Sequence, residues 1–345
     1  MTDSPRFLSP SEAARQLGVS AKALRVYEQR GLVSPTRNTA GWRSYGPDDM
    51  ARGAEIVALR ALGLSLAQVG RVLEGDADAA GLEPALAAHE AMLESRMQQQ
   101  AGTLEKVRRL RADLRRGQTP TAGELTRLLA AAPSIRVEFE LPWPWGGESF
   151  ELRDLRTLNY IVGPLGSGKT RLALRLAEEL PGAVFLGLDR LEDGRAPTQL
   201  AADSALRMRV HRALAWLVED GATVSAALTA LLAGLEAERP AAFVVDMVEQ
   251  GLDQATQQAV AAWLRRRRAD SRPLFLLTRS SAILDLAAVG ADESILLCPA
   301  NHSPPTWVLP YPGAPGYEAV ATCLASPEVR ARTQGVIAWR PALAA

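Results

Sequence analysis

The eight residues Gly163, Pro164, Leu165, Gly166, Ser167, Gly168, Lys169 and Thr170 read G-x-x-x-x-G-K-T, a spacing whose chemistry is phosphate binding. The glycines let backbone N–H groups close around an anion, and the N-terminus of the helix that follows adds the positive end of its dipole. Lys169 is then expected to reach the β- and γ-phosphates of ATP, and Thr170 to ligate its Mg²⁺. Residue usage supports this independently. Only Lys22, Lys106 and Lys169 are lysines among 39 basic residues, so a chain that otherwise uses arginine keeps its last lysine where a slim ammonium is needed. Asp246 ends the apolar run "AAFVV", 77 positions after Lys169, as if a buried strand delivered a carboxylate to the same Mg²⁺.

Hydrolysis needs one group more, a carboxylate to orient and deprotonate the attacking water, which a thioether cannot do. Met247 follows Asp246 directly and the nearest acid is Glu249. Two outcomes stay open: the nucleotide is bound with weak or absent hydrolysis, or the loop folds back and Glu249 serves as the catalytic base. A small-molecule kinase is a third, weaker reading. Phe139, Trp143 or Trp145 could stack on the adenine, although packing in a Pro-rich loop is their more ordinary role. His211 reads as a plain helix residue and "RRRR" at 265 to 268 as the solvated end of a helix.

Positioning these residues takes a strand before the glycine loop, a helix after it and further buried strands alongside. "TLNYIVG", "AAFVVD" and "PLFLLTR" are continuous apolar runs of the parallel kind, while "IRVEFELP" alternates like an exposed strand, so residues 119–345 are expected to form an α/β domain with a mostly parallel sheet. Residues 1–75 have another texture. Ser9, Pro10 and Glu12 start a short helix that Gly18 stops; Ser20 caps a second that ends at Gly31; Pro47 opens a longer one through Leu62, and Ser65 caps a last. Between them "LVSPTRNTAGWRSYG" has hairpin composition. A helix, tight turn, helix and wing is a DNA-binding shape: Lys22 and Arg25 would reach phosphates or base edges in a major groove, Tyr27 the backbone, and Arg37, Arg43 and Tyr45 the flanking backbone. Tyr27 and Trp42 are equally open to core or hinge packing. Ten basic against seven acidic residues in this region fit such a surface. Residues 76–118 place Leu82, Leu86, Leu93, Met97, Leu104, Val107, Leu110 and Leu114 mostly three or four apart, which predicts one long amphipathic helix running into the linker "GQTPTAG".

Bulk properties add exclusions. Acids and bases are equal at 39 each, so no global charge draws the chain to nucleic acid or membrane. Cys298 and Cys323 have neither disulfide nor zinc spacing, which points to a reducing compartment, the cytoplasm; no apolar run is long enough to span a bilayer.

The stretch from "LSPSEAARQLGVSAKALRVYEQRGLVSP" through "WRSYG" to "LGLSLAQVGRVL" resembles the N-terminal winged helix of the MerR family of transcription regulators. The resemblance implies promoter DNA as partner, a homodimer through an antiparallel coiled coil of the long helix, and contact with RNA polymerase. Metal-sensing members place cysteines around that helix, where this chain has none. "LNYIVGPLGSGKT" with "VVDMVEQGLD" is similar to ATPases of the ABC, RecF and SMC type. On that alignment Gly251 to Asp253 fit the D-loop, Met247 stands where the catalytic Glu should be, "VSAA" at 224 to 227 where "LSGG" should be, and Arg279 where the switch His should be. The resemblances imply an ATP-binding regulator with impaired hydrolysis, or alternatively a DNA-tethered ATPase using Glu249.

Overall fold

A computed structural model describes residues 7–37, 41–76, 81–116, 137–152, 155–191, 195–237, 240–266, 272–290 and 292–329. The first module comprises helices α1 (Pro10–Leu17), α2 (Ala21–Gln29), α3 (Pro47–Ala61) and α4 (Leu66–Leu73), with the two-stranded wing β1 (Thr36–Arg37) and β2 (Arg43–Ser44). Its boundaries follow from capping chemistry. The Ser9 hydroxyl accepts from Glu12 N while Glu12 reaches back to Ser9 N, Pro10 needs no donor, and Gly18 at φ 67° closes the helix in a conformation that resists a side chain. Ser65 caps α4 through the same reciprocal box with Gln68, and the Ser20 hydroxyl caps α2 by accepting from Ala23 N. Leu24, Tyr27, Val33, Tyr45, Ile56, Leu64 and Val69 form the core of this module. Helix α5 (Leu82–Arg115) extends from it; the linker expected at 117 to 123 and the boundary at 119 lie outside the described residues.

The second module is a six-stranded sheet in the order β10-β9-β5-β8-β7-β6, where β5 is Leu158–Val162, β6 Ala183–Leu186, β7 Ala242–Val245, β8 Leu274–Leu277, β9 Glu293–Leu297 and β10 Thr306–Val308. Every pairing is parallel except β9 with β10. The central strands β5, β7 and β8 are buried throughout, which is why they read as unbroken apolar runs rather than alternating ones. Their side chains still divide by a period of two: Leu158, Tyr160 and Val162 face one core and Ile161 the other. The first face is covered by α8 (Ser204–Glu219), α9 (Ala226–Leu235) and α10 (Gln254–Arg266). The second is covered by α6 (Lys169–Glu179) and the hairpin β3 (Val137–Glu140) and β4 (Ser149–Leu152). Helix α7 (Arg195–Ala202) packs on α9, and α11 (Tyr317–Cys323) places Val320 in the first core.

The arginine run departs from expectation. Arg265 pairs with Glu293 at 3.0 Å, whose side chain is wholly buried, and Arg266 stacks over Trp216 at 5.5 Å. These two positions belong to packing rather than to a solvated helix end, because α10 ends beside a buried acid and an indole face; Arg267 and Arg268 lie outside the described residues.

Candidate nucleotide site and the adjoining winged helix

Strand β5 ends at Val162 and the chain turns through Gly163–Gly168 into α6, whose first residues are Lys169 and Thr170. The glycines are there for room and for backbone sign. A Cβ on Gly163 would lie 2.4 Å from Cys298 O and 2.6 Å from Ser167 Oγ. Gly166 and Gly168 hold φ of 80° and 87°. Pro164 O accepts from Ser167 N at 3.3 Å, Ser167 is buried, and Leu165 at the tip is 87% exposed. Lys169 Nζ turns back into the loop, donating to Gly163 O at 2.7 Å and Pro164 O at 2.6 Å. Burial holds this ammonium below the ordinary lysine range, and the charge of Arg279 adds to the effect. The ammonium thus lies against a loop in which Gly163 and Gly168 leave no room for a side chain, an arrangement that a phosphate suits.

Thr170 Oγ1 donates to Asp246 Oδ2 at 3.0 Å, so hydroxyl and carboxylate meet across the end of β7. Burial pushes the Asp246 carboxyl above the usual range, opposed by the Thr170 hydrogen bond and by Arg190 and Lys169. A hard divalent cation favours such a hydroxyl and carboxylate pair of oxygens, and Mg²⁺ typically takes one or two carboxylates plus phosphate oxygens. The residues present therefore fit Mg²⁺ with a nucleotide.

Beyond Asp246 the turn takes an unusual path. Met247 has φ 46°, a left-handed conformation that costs a non-glycine residue about 1–2 kcal/mol. Arg190, from the short 3₁₀ turn Leu188–Leu191, holds it there: its guanidinium donates to Gly187 O at 2.8 Å, Asp246 O at 2.8 Å and Met247 O at 2.9 Å. Glu249 is buried, and its Oε1 accepts from Arg279 N at 2.9 Å. Gly251 at φ 74° lies so close to Ala227 that a Cβ would approach it to 2.8 Å, and Asp253 caps α10 through Thr256 N at 2.7 Å. Ser225 caps α9 through Leu228 N. The stretch 224 to 227 therefore starts a helix beside the turn from Met247 to Asp253.

Of the three aromatics, Phe139 and Trp145 are core residues. Trp145 donates to Ser303 O at 3.0 Å and leans on Gly168, while Trp143 is 70% exposed with Arg171 over its ring at 4.9 Å. Two neighbours of the loop carried no sequence signal. His302, at φ 58°, places Nε2 3.1 Å from Gly166 O, and Arg190 clamps the Asp246 turn. Each is a single residue in unpatterned sequence, and only the folded sheet brings it to the loop.

On the winged helix, Arg25 and Arg37 are exposed, and Arg43 is half-buried in an ion pair with Glu28. Tyr27 and Tyr45 correct the expectation of backbone contacts. They are 7% and 1% exposed and pack in the module's core, where a buried amphipathic ring contributes its apolar face. Trp42, by contrast, is 71% exposed. Lys22 also departs from its expected place: its Nζ donates to Ser281 O at 3.1 Å, on the second module. The two modules meet chiefly at the end of α8. Asp220 takes Arg60 at 2.6 and 3.3 Å and Leu66 N at 2.8 Å, Glu219 takes the Ser65 hydroxyl at 2.9 Å, and Arg60 lies over the Trp216 ring at 5.6 Å.

As a class, this is a helix-turn-helix module with a wing, followed by an α/β domain with a mostly parallel six-stranded sheet and a glycine-rich loop between strand and helix. Residues 8–76 match the MerR HTH family regulatory protein, and the N-terminal domain is of that kind. Among curated relatives, a "Probable heavy metal-dependent transcriptional regulator" of Haemophilus influenzae is 42% identical over 64 residues, 18% of this chain and 50% of the relative. The HTH-type transcriptional regulator HmrR of Sinorhizobium medicae is 43% identical over 63 residues, 18% of this chain and 43% of the relative. The chain thus spans about half the length of the curated relatives it matches. Among solved structures, a MerR family regulator lacking the sensor domain, bound to promoter DNA, is similar over 37% of this chain and 96% of its own, with 21% identity and a TM-score of 0.25. An ATP-binding cassette of an ABC transporter in its ADP conformation is similar over 59% of this chain and 99% of its own, with 14% identity and a TM-score of 0.35. Among the described residues, no group of three or more His, Cys, Asp or Glu could hold a metal, and no helix is long and apolar enough to cross a membrane.

Proposed function

We propose that this chain is a dimeric MerR-like transcription regulator in which ATP occupancy of the second domain modulates binding to promoter DNA, with hydrolysis weak or absent. The observation that carries the reading is the division of labour around Asp246. The groups suited to holding nucleotide and Mg²⁺ are present and convergent, Lys169 in the loop and Thr170 against Asp246, whereas the position that should supply a base carries the Met247 thioether. When bound, ATP with Mg²⁺ would supply a charge that Lys169, Thr170 and Asp246 hold, and Trp143 offers an exposed ring for the base. Binding alone suffices for a switch if one conformation takes the nucleotide better than another. Arg25, Arg37 and Arg43 are the groups offered to DNA, with a second copy of the chain and RNA polymerase as the further partners.

One observation favours the alternative of an active ATPase: Glu249 is buried in the turn that begins at Asp246. Against this, its Oε1 is engaged by Arg279 N. Measuring ATP binding and phosphate release on the full chain separates the two. Lys169→Ala should weaken ATP binding by about 10- to 100-fold, the worth of one charge-assisted contact. Wild type and Glu249→Gln should bind ATP alike and release little phosphate. Turnover that is present in wild type and lost in Glu249→Gln would overturn the binding-only reading; ATP that fails to bind would overturn the nucleotide reading altogether.

A further inference from the structure

Helix α2 is tied to the second module at both of its ends. Lys22 Nζ donates to Ser281 O at 3.1 Å in the first turn, and Arg30, just past the last turn, reaches Asp220 O at 3.5 Å. Positions 22, 26 and 30 follow one another at four-residue spacing and so share one side of the helix. Leu24 and Tyr27 face the module's own core, and Arg25 and Gln29 face solvent. Burial holds the Lys22 ammonium below its ordinary value, with Asp285 opposing, as a contact taken out of water would.

Ser281 belongs to the segment 278–284 that leaves β8, and this segment is wired to the nucleotide site. Arg279 N donates to Glu249 at 2.9 Å; the Ser280 hydroxyl donates to Gln257 at 2.6 Å, and Gln257 donates to Leu252 O at 2.7 Å. Both Glu249 and Leu252 lie in the turn that begins at Asp246. A rearrangement of that turn therefore pulls on the backbone that carries the acceptor of Lys22.

Sterics make the docked helix and the DNA-bound helix exclusive. A major groove is about 12 Å wide and a helix with its side chains is about 10–12 Å across, so no second protein layer fits beside it. A helix-turn-helix also reads bases with the N-terminal residues of its second helix, the end where Lys22 stands.

We infer that the segment 278–284 is a docking surface for α2 that competes with double-stranded DNA, and that nucleotide at the glycine loop sets which of the two holds the helix. This rests on the function proposed above and names its regulation.

The test uses the full chain with Lys22→Cys, Ser281→Cys and Cys323→Ala. Cys298 can stay, since burial pushes its thiol up to about 12 and leaves almost no thiolate to react. A short bis-maleimide bridges the two introduced thiols, and N-ethylmaleimide gives the unbridged control. Binding is read with a fluorescent mixed-sequence DNA duplex at low salt and, separately, with a fluorescent ATP derivative. The bridged protein should bind the duplex at least roughly tenfold more weakly than the control, since its backbone contacts are withheld, while both bind the ATP derivative equally. Equal duplex affinities would overturn the inference and leave the proposed function intact. A control that binds neither probe would overturn the proposed function and the inference with it. On the unmodified chain, hydrogen exchange in α2 and in 278–284 should change together when ATP and Mg²⁺ are added; α2 unaffected by bound nucleotide would likewise overturn it.

Discussion

Gly168 concentrates the demands made on the glycine-rich loop. Its φ of 87° excludes most side chains, and a Cβ there would stand 2.7 Å from the Trp145 ring and 2.8 Å from Pro144 Cδ. Trp145 cannot yield easily, because it is buried and its indole N–H is bonded to Ser303 O. Gly168→Ala should therefore add left-handed strain of about 1–2 kcal/mol to overpacking of about 1–3 kcal/mol. Urea denaturation followed by tryptophan fluorescence should show a loss of about 2–5 kcal/mol in the second module, and ATP affinity should fall with it. An alanine variant that unfolds and binds like wild type would mean that the loop relaxes by another route. The glycine-rich turn between a strand and a helix was legible because its spacing and the apolar run before it are local signals, and the structure places it there. Arg190 and His302 were not: each acts on backbone carbonyls, Asp246 O and Met247 O for one and Gly166 O for the other, and any arginine or histidine in a loop looks the same until the fold places it.

At the scale of elements, the capped helices and buried strands were readable because capping boxes and apolar runs are local signals, whereas the α3–α8 contact was not. Arg60 and Asp220 are 160 positions apart, and nothing in either neighbourhood marks them as partners. Tyr27 and Tyr45 were ambiguous for a related reason, since an aromatic with a polar tip suits a DNA backbone and a small core equally well. Once formed, the contact has high stakes. The Asp220 side chain is 4% exposed and satisfies Arg60 and Leu66 N together, so removing it takes the counter-charge from a partly buried cation and the acceptor from a buried amide. Truncating one partner of such a pair typically costs about 3–5 kcal/mol. Asp220→Ala should sit near the lower figure, because Arg60 keeps Leu64 O at 2.9 Å and the face of Trp216. The informative measurement is a double-mutant cycle with Arg60→Ala in urea denaturation, where a coupling of at least about 1 kcal/mol is expected. Additive single effects would show that the two modules are held by something other than this pair.

For the whole molecule, the open question is what covers α5. Its 34 residues span about 50 Å at 1.5 Å per residue, longer than one small module can pack against. Leu86, Leu93 and Leu104 are 47%, 45% and 50% exposed, and their separations of 7 and 11 residues are close to whole numbers of turns, so they line one stripe; Leu114, 52% exposed, stands at its edge. Fully burying a leucine is worth about 1.5–3 kcal/mol, and these are half-buried already, so each would gain about 1 kcal/mol. Eight such residues across two antiparallel copies would supply about 8 kcal/mol, comparable to the ordering cost of association, about 4–15 kcal/mol. A dimer through this stripe is the expected outcome. Light scattering on the eluted protein should give twice the 37.0 kDa chain mass, and Leu93→Glu with Leu104→Glu should return it to one chain while leaving ATP binding unchanged, since both residues lie on α5 and the glycine loop lies between β5 and α6. Duplex affinity should drop with the dimer, because two winged helices on one duplex bind as a linked pair and a single one loses that effective concentration. A wild-type chain that elutes as a monomer would remove the two-fold DNA complex and leave α5 to pack against a different partner.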